Sequence, residues 1–152
     1  MKRLIPFLIT ITLLMICPVL AQETGNAQEI AAIKKVVETA YVQGIHIERD
    51  LEKIKSGFHP DFSMLMLRNG QMSKMTIQAW MDRIEQGKKR NPNPPKVEVK
   101  HKFSMVNVEG NAATLRIEIY KDGKHKYSDY MALYKFADGW KIVNKIYFTQ
   151  PQ

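Results

Sequence analysis

The sequence predicts an α+β domain in which helices come first and a curved antiparallel sheet wraps around them. Two observations carry this expectation. Before Lys96 apolar residues recur at helical spacing, with Ile30, Ile33, Val37, Ala40 and Tyr41 on one stripe and Ile77, Trp80, Met81 and Ile84 on another. From Lys96 onward the apolar period becomes two, and Gly110, Asp122-Gly123 and Asp138-Gly139 punctuate it as turns.

The chain has 152 residues, and its first part reads as a leader rather than as domain. Lys2 and Arg3 precede an almost wholly apolar run, Leu4–Ile16; Pro18 follows, and Val19-Leu20-Ala21 supplies the small or neutral residues of a cleavage site. This is the three-part pattern of a secretory signal. The run is at the short limit for a membrane span, which needs about 20 apolar residues, and no basic stop-transfer cluster follows. Residues 1–21 are therefore expected to be removed, 22–26 to be a flexible lead and 27–150 to be the domain. The mature chain is expected to be secreted or periplasmic, with no stable membrane anchor. Ile16 is not the small residue that lipidation at Cys17 would want before it.

Cys17 is the one cysteine, so the mature domain has no thiol nucleophile, no Cys-rich zinc site and no iron–sulfur cluster. A domain of about 130 residues buries enough surface to fold without disulfides. Without Lys2 and Arg3 the 23 basic residues become 21 against 15 acidic ones, and the net charge falls from +8 to +6. The one dense run, Lys88-Lys89-Arg90, ends a predicted helix, where cations complement the helix dipole. Nucleic-acid binding needs a basic stripe interleaved with aromatic residues, and no nucleic-acid partner is expected.

Element by element, Asn26 is expected to cap a first helix that Gly44 ends, and Asp50 to open a shorter one closed by Gly57. Phe58–Phe62 reads as a turn, Ser63–Leu67 as a short strand and Asn69-Gly70 as a tight turn. Thr76 caps a third helix that Gly87 stops, and the proline-rich stretch 91–95 is a loop. Four strands then form an antiparallel meander. Val97, Val99, His101, Phe103 and Met105 share one face of the first; Leu115, Ile117 and Ile119 share one face of the second; Tyr130 and Tyr134 share a face of the third with Ala132 and Phe136; and Ile142, Asn144, Ile146 and Phe148 share a face of the fourth. The apolar face must be covered by the helices.

Tyr41-x-x-Gly44, Asp50, Phe58-His59-Pro60-Asp61 and the closing Trp140-Lys141-Ile142-Val143-Asn144-Lys145 resemble the nuclear transport factor 2-like superfamily, which includes ketosteroid isomerase and polyketide cyclases. Within it the chain is most similar to the Putative lumazine-binding family, over about Gln28 to Phe148. The resemblance implies a cone: a sheet wrapped around the first helix, a pocket at the open end, and a homodimer through the sheet. It also implies where an isomerase would keep its carboxylate base, and that place falls at about Met66, which cannot move a proton. Tyr41 falls near an oxyanion-holding tyrosine, or else keeps its ring in the core with its hydroxyl at the cavity rim.

Among polar candidates, Asp61 reads as a brace of the His59-Pro60-Asp61 turn, and His46 and His125 as solvent-facing. The histidines lack a metal-ligand spacing, so no metal and no cofactor are expected. His101 and Asn144 fall on apolar faces, where they bond each other or the backbone, or line a cavity and orient a ligand. Trp80 reads as a lid over the core. The ligand contacts expected are Tyr41, Trp80, His101, Tyr130 and Asn144. The reading that follows is an exported, non-catalytic protein that binds a small molecule, such as a heteroaromatic one, in a cone-shaped pocket. An isomerase, cyclase or hydrolase acting on a small apolar or aromatic substrate stays open, as does a structural or interaction dimer module.

Overall fold

The computed structural model describes residues 17–151. Lys2, Arg3 and the apolar run Leu4–Ile16 of the expected signal lie outside the described residues.

Helix α1 (Cys17–Val36) starts before Asn26 and runs without a break into a π-helical stretch, Val37–Ile47. Gly44 does not end it. A Cβ at Gly44 would lie 3.1 Å from Ile54 Cγ1, so this glycine allows a close approach to the next helix. The stop comes at Glu48, whose N–H donates to Gln43 O at 2.8 Å, and at Arg49, with φ +55°. The wide winding places Tyr41, Val42, Gly44 and Ile45 all in the interior. Such π-turns recur at functional sites.

Helix α2 (Leu51–Gly57) is capped by Asp50, whose side chain accepts from the N–H groups of Glu52 and Lys53. Strand β1 (Phe58–Arg68) is longer than expected. The residues read as a turn are its first half, bulged where Phe58 pairs with Ile142 and Ser63 with Asn144, and Pro60 sits inside the bulge. Asn69 and Gly70, both at positive φ, turn the chain into β2 (Gln71–Thr76). Thr76 Oγ1 accepts from Ala79 N–H and starts α3 (Ile77–Arg90), which passes Gly87 and ends three residues later with Lys88, Lys89 and Arg90 in its last turn.

The meander follows as β3 (Val99–Glu109), β4 (Ala112–Lys121), β5 (Lys124–Phe136) and β6 (Gly139–Thr149). The six strands lie in the order β2-β1-β6-β5-β4-β3, all antiparallel except β1 with β6. Between Phe103 and Met105, between Ile119 and Tyr120, and between Ala132 and Leu133 the registers shift. Each bulge bends the sheet and reverses the alternation beyond it. Met105 is therefore exposed while Val106 and Val108 turn toward the core. Along β6, Ile142 is buried opposite Leu133; the bulge then takes up Val143, and Lys145 is buried opposite Met131. The core is the helix stripe Ile33, Val37 and Tyr41 against Leu115, Ile117, Ile119, Leu133 and Ile142, closed by Ile54 and Phe62.

Candidate functional site

A cavity of about 370 Å³ opens between the π-helical stretch, the β1–β2 hairpin, α3 and the inner face of β5 and β6. Its walls are Ile45, Met64, Met66, Met75, Trp80, Ile84, Tyr127 and Tyr147; Arg68 and Arg83 line it too. Tyr41, His46 and Lys145 add further polar groups to the lining. Methionines and aromatic rings make an adaptable apolar surface, and the volume suits a small molecule.

The polar groups form a built cluster. Lys145 is 4% exposed and Asp129 wholly buried, and Lys145 Nζ stands 2.8 Å from Asp129 Oδ1. The hydroxyl of Tyr41 donates to Asp129 Oδ2 at 2.6 Å. Three rings surround the ammonium: Tyr147 at 4.5 Å, Tyr41 at 5.1 Å and Trp80 at 5.4 Å from ring centroid to Nζ. Met64 Sδ lies 3.9 Å away. Burial pulls the Lys145 ammonium below the usual lysine range, and the charge and hydrogen-bonding capacity of Asp129 oppose that shift. Burial, followed by the neighbouring Asp129 charge, pushes the Tyr41 phenol well above its ordinary value, so it remains a hydrogen-bond donor at neutral pH.

His46 lines the same cavity rather than facing solvent. Its ring meets Tyr41 edge-on at 4.7 Å and stacks on Tyr127 at 6.1 Å. Its Nε2 is sealed from solvent and has no hydrogen-bond partner. Burial, reinforced by the charges of Lys121 and Lys145, lowers its pKa to about 3. The ring is neutral, with an unmet polar atom beside the cavity.

Of the residues expected from sequence, the structure brings two together here, Tyr41 and Trp80, with ring centroids 6.2 Å apart. His101 does turn inward, but its Nε2 lies 3.3 Å from Glu38 Oε1 on the first helix, away from the cavity. Asn144 is on the other side of the sheet from the pocket, because the bulge at Val143 shifts it opposite Ala132; its Nδ2 donates to Ser63 O and ties β6 to β1. Tyr130 is also outside. It is 43% exposed on the outer face, because Asp129, Met131 and Leu133 are the inward residues of β5. His125, expected in solvent, is half-buried and stacks on Tyr120 at 4.9 Å. Met66, at the isomerase base position, is in the cavity wall. The carboxylate that sequence reasoning missed is Asp129, which sits on β5 in step with Met131 and Leu133. A lone acid in that alternation was the available signal. Among the described residues no group of three or more His, Cys, Asp or Glu side chains could hold a metal ion.

A cone-shaped α+β fold with an aromatic pocket at one end is an NTF2-like fold. The family model described as Putative lumazine-binding matches residues 28–148, and the chain belongs to that family. The chain is similar to an NTF2-like protein from Shewanella baltica, with 24% identity and TM-score 0.68 over 83% of this chain and 97% of that one. It is also similar to one from Silicibacter pomeroyi, with 22% identity and TM-score 0.67 over 82% and 98%. The aldolase FrzH of Cladobotryum sp. is 24% identical over 119 residues, 77% of this chain and 90% of that protein.

Proposed function

We propose that this chain is a small-molecule-binding protein whose ligand is planar and aromatic or heteroaromatic and sits in the cavity above Tyr41, His46 and Lys145. One observation carries the reading: a cavity of about 370 Å³, walled by rings and methionines, has a buried ammonium and a neutral imidazole ring at its lining. Flat apolar surface takes the ligand's faces, and the few polar groups fix its orientation. The family description agrees with a heteroaromatic ligand. Native mass spectrometry of the purified protein tests this. A co-purifying small molecule that is lost in Trp80→Ala supports it. A wild-type protein that carries no ligand and takes up none from a panel of planar heteroaromatics sinks it.

A second reading, an enzyme acting on a carbonyl compound, is favoured by the Tyr41–Asp129–Lys145 cluster and by the aldolase relative. The cluster can hold and move a proton beside the cavity. Turnover of aromatic ketones or aldehydes that disappears in Lys145→Met, in a variant whose circular dichroism shows it still folded, would establish it over simple binding.

Export and assembly complete the proposal. The charged start, apolar run and Val19-Leu20-Ala21 support cleavage after Ala21 and a secreted or periplasmic home. The N-terminal mass of protein from its native host checks this, and a full-length cytoplasmic species would refute it. Tyr130, Tyr134, Ile146 and Phe148 expose large apolar side chains on the outer face of the sheet, with Tyr130 directly opposite Ile146. Such a patch supports a homodimer through this face. Light scattering that reads the same mass for wild type and for Phe148→Glu at high concentration would remove the dimer.

A further inference from the structure

The floor of the pocket contains more chemistry than binding uses. We propose that Lys145 is an amine nucleophile that condenses with an aldehyde or ketone group of a pocket ligand, giving an iminium that keeps Asp129 as its counter-ion. This rests on the reading that the cavity admits a small molecule, and it adds a covalent step to it.

The geometry carries the proposal. Lys145, the cationic member of this buried ion pair, lines the cavity. Asp129 Oδ2 is held by the Tyr41 hydroxyl, and Oδ1 makes no hydrogen bond but lies 2.8 Å from Lys145 Nζ as its ion-pair partner. A base therefore stands in proton-transfer range of the amine. The other contacts of Nζ include the faces of Tyr147, Tyr41 and Trp80 and Met64 Sδ. Desolvation in a hydrophobic pocket activates a lysine amine, and the direction of the Lys145 shift agrees with this.

The step balances. Asp129 Oδ1 takes one proton from the ammonium. The free amine adds to the carbonyl carbon, forming the C–N bond as the C=O π bond opens, and the oxygen is protonated. The C–O bond then breaks, and water leaves with two of the three protons first carried by nitrogen. One proton stays on the C=N⁺–H nitrogen. Charge +1 is conserved beside the carboxylate, and nothing is oxidised or reduced. The aromatic walls select a flat carbonyl compound, and Arg68 and Arg83, which also line the cavity, favour one that carries an anionic group.

The probe is 4-carboxybenzaldehyde with cyanoborohydride at neutral pH, followed by peptide mass mapping. In parallel, calorimetry follows 4-methylbenzoate, a close analogue with no aldehyde to attack. The expected result is one adduct per chain on Lys145, formed at least tenfold faster than on the average exposed lysine and suppressed by 4-methylbenzoate. Lys145→Arg, which keeps the charge but offers no primary amine, should lose the preferred adduct while labelling of exposed lysines stays at its wild-type rate. If that variant does not fold, mapping of the wild-type protein decides alone. Binding of 4-methylbenzoate with labelling spread over surface lysines would overturn the iminium and leave the pocket reading standing. Neither binding nor a preferred adduct would overturn both.

Discussion

The hydroxyl of Tyr41, on the first helix, donates to Asp129 Oδ2, on β5, at 2.6 Å, and neither residue is exposed. The bond joins positions 88 residues apart and holds the helix against the sheet at the base of the cavity. Tyr41→Phe preserves the ring and strands a buried carboxylate oxygen. It is expected to cost about 1–3 kcal/mol, read as a lower urea midpoint with an unchanged slope. An unshifted midpoint would mean that water replaces the hydroxyl at no cost.

Lys145 and Asp129 depend on one another. Removing one partner leaves an uncompensated buried charge, so Lys145→Met is expected to destabilise by about 3–5 kcal/mol. Adding Asp129→Asn should return part of that loss, because the charge that needed a partner is gone. A double-mutant cycle in urea measures the coupling. Costs that simply add would show that the 2.8 Å pair is not an energetic unit.

The starts of α2 and α3, the glycine turns between strands and most of β4 and β5 were legible because their patterns are local: Asp50 and Thr76 cap where a cap was expected, and Asp122-Gly123 turns where a turn was expected. What was not legible is the parity of a bulged strand. Alternation carried through Val143 puts Asn144 inside and Lys145 outside, and one extra residue exchanges them. The bulge at Ser104 does the same to Met105. His46 was hidden by another non-local feature, the π-winding that continues the helix past Gly44. Tyr41 and Trp80 were placed on core faces by helical spacing, Tyr41 because it follows Ile33 and Val37 at the start of the π-stretch and Trp80 because α3 is an ordinary helix.

Gly57 is a position where a single methyl group decides packing. A Cβ there would fall 2.5 Å from Ala40 Cβ and 3.0 Å from Val36 Cγ1, so α2 sits on the first helix with no room for a side chain. Gly57→Ala must push α2 outward, together with the start of β1. Overpacking of this kind costs about 1–3 kcal/mol, despite alanine's better helix propensity. Thermal unfolding checks it, and a raised melting temperature would show that the two helices separate freely.

His46 should set part of the acid limb of stability. Its pKa is lowered from 6.5 to about 3, by burial first and then by the charges of Lys121 and Lys145. In the window between those values the unfolded chain binds a proton at this ring and the folded chain does not. Stability is therefore fully present above about pH 6.5 and is lost as pH falls toward 3, by up to about 1.4 kcal/mol per unit. Between pH 6 and 5 exposed carboxylates are still largely ionised, and the difference in slope from a variant that lacks this ring isolates the histidine. His46→Phe keeps an aromatic ring against Tyr41 and Tyr127 and removes the proton site. Urea midpoints of both proteins across pH 6 to 5 are expected to diverge, the wild type falling more steeply than the variant. Parallel lines would mean that His46 reaches solvent and titrates as an ordinary histidine.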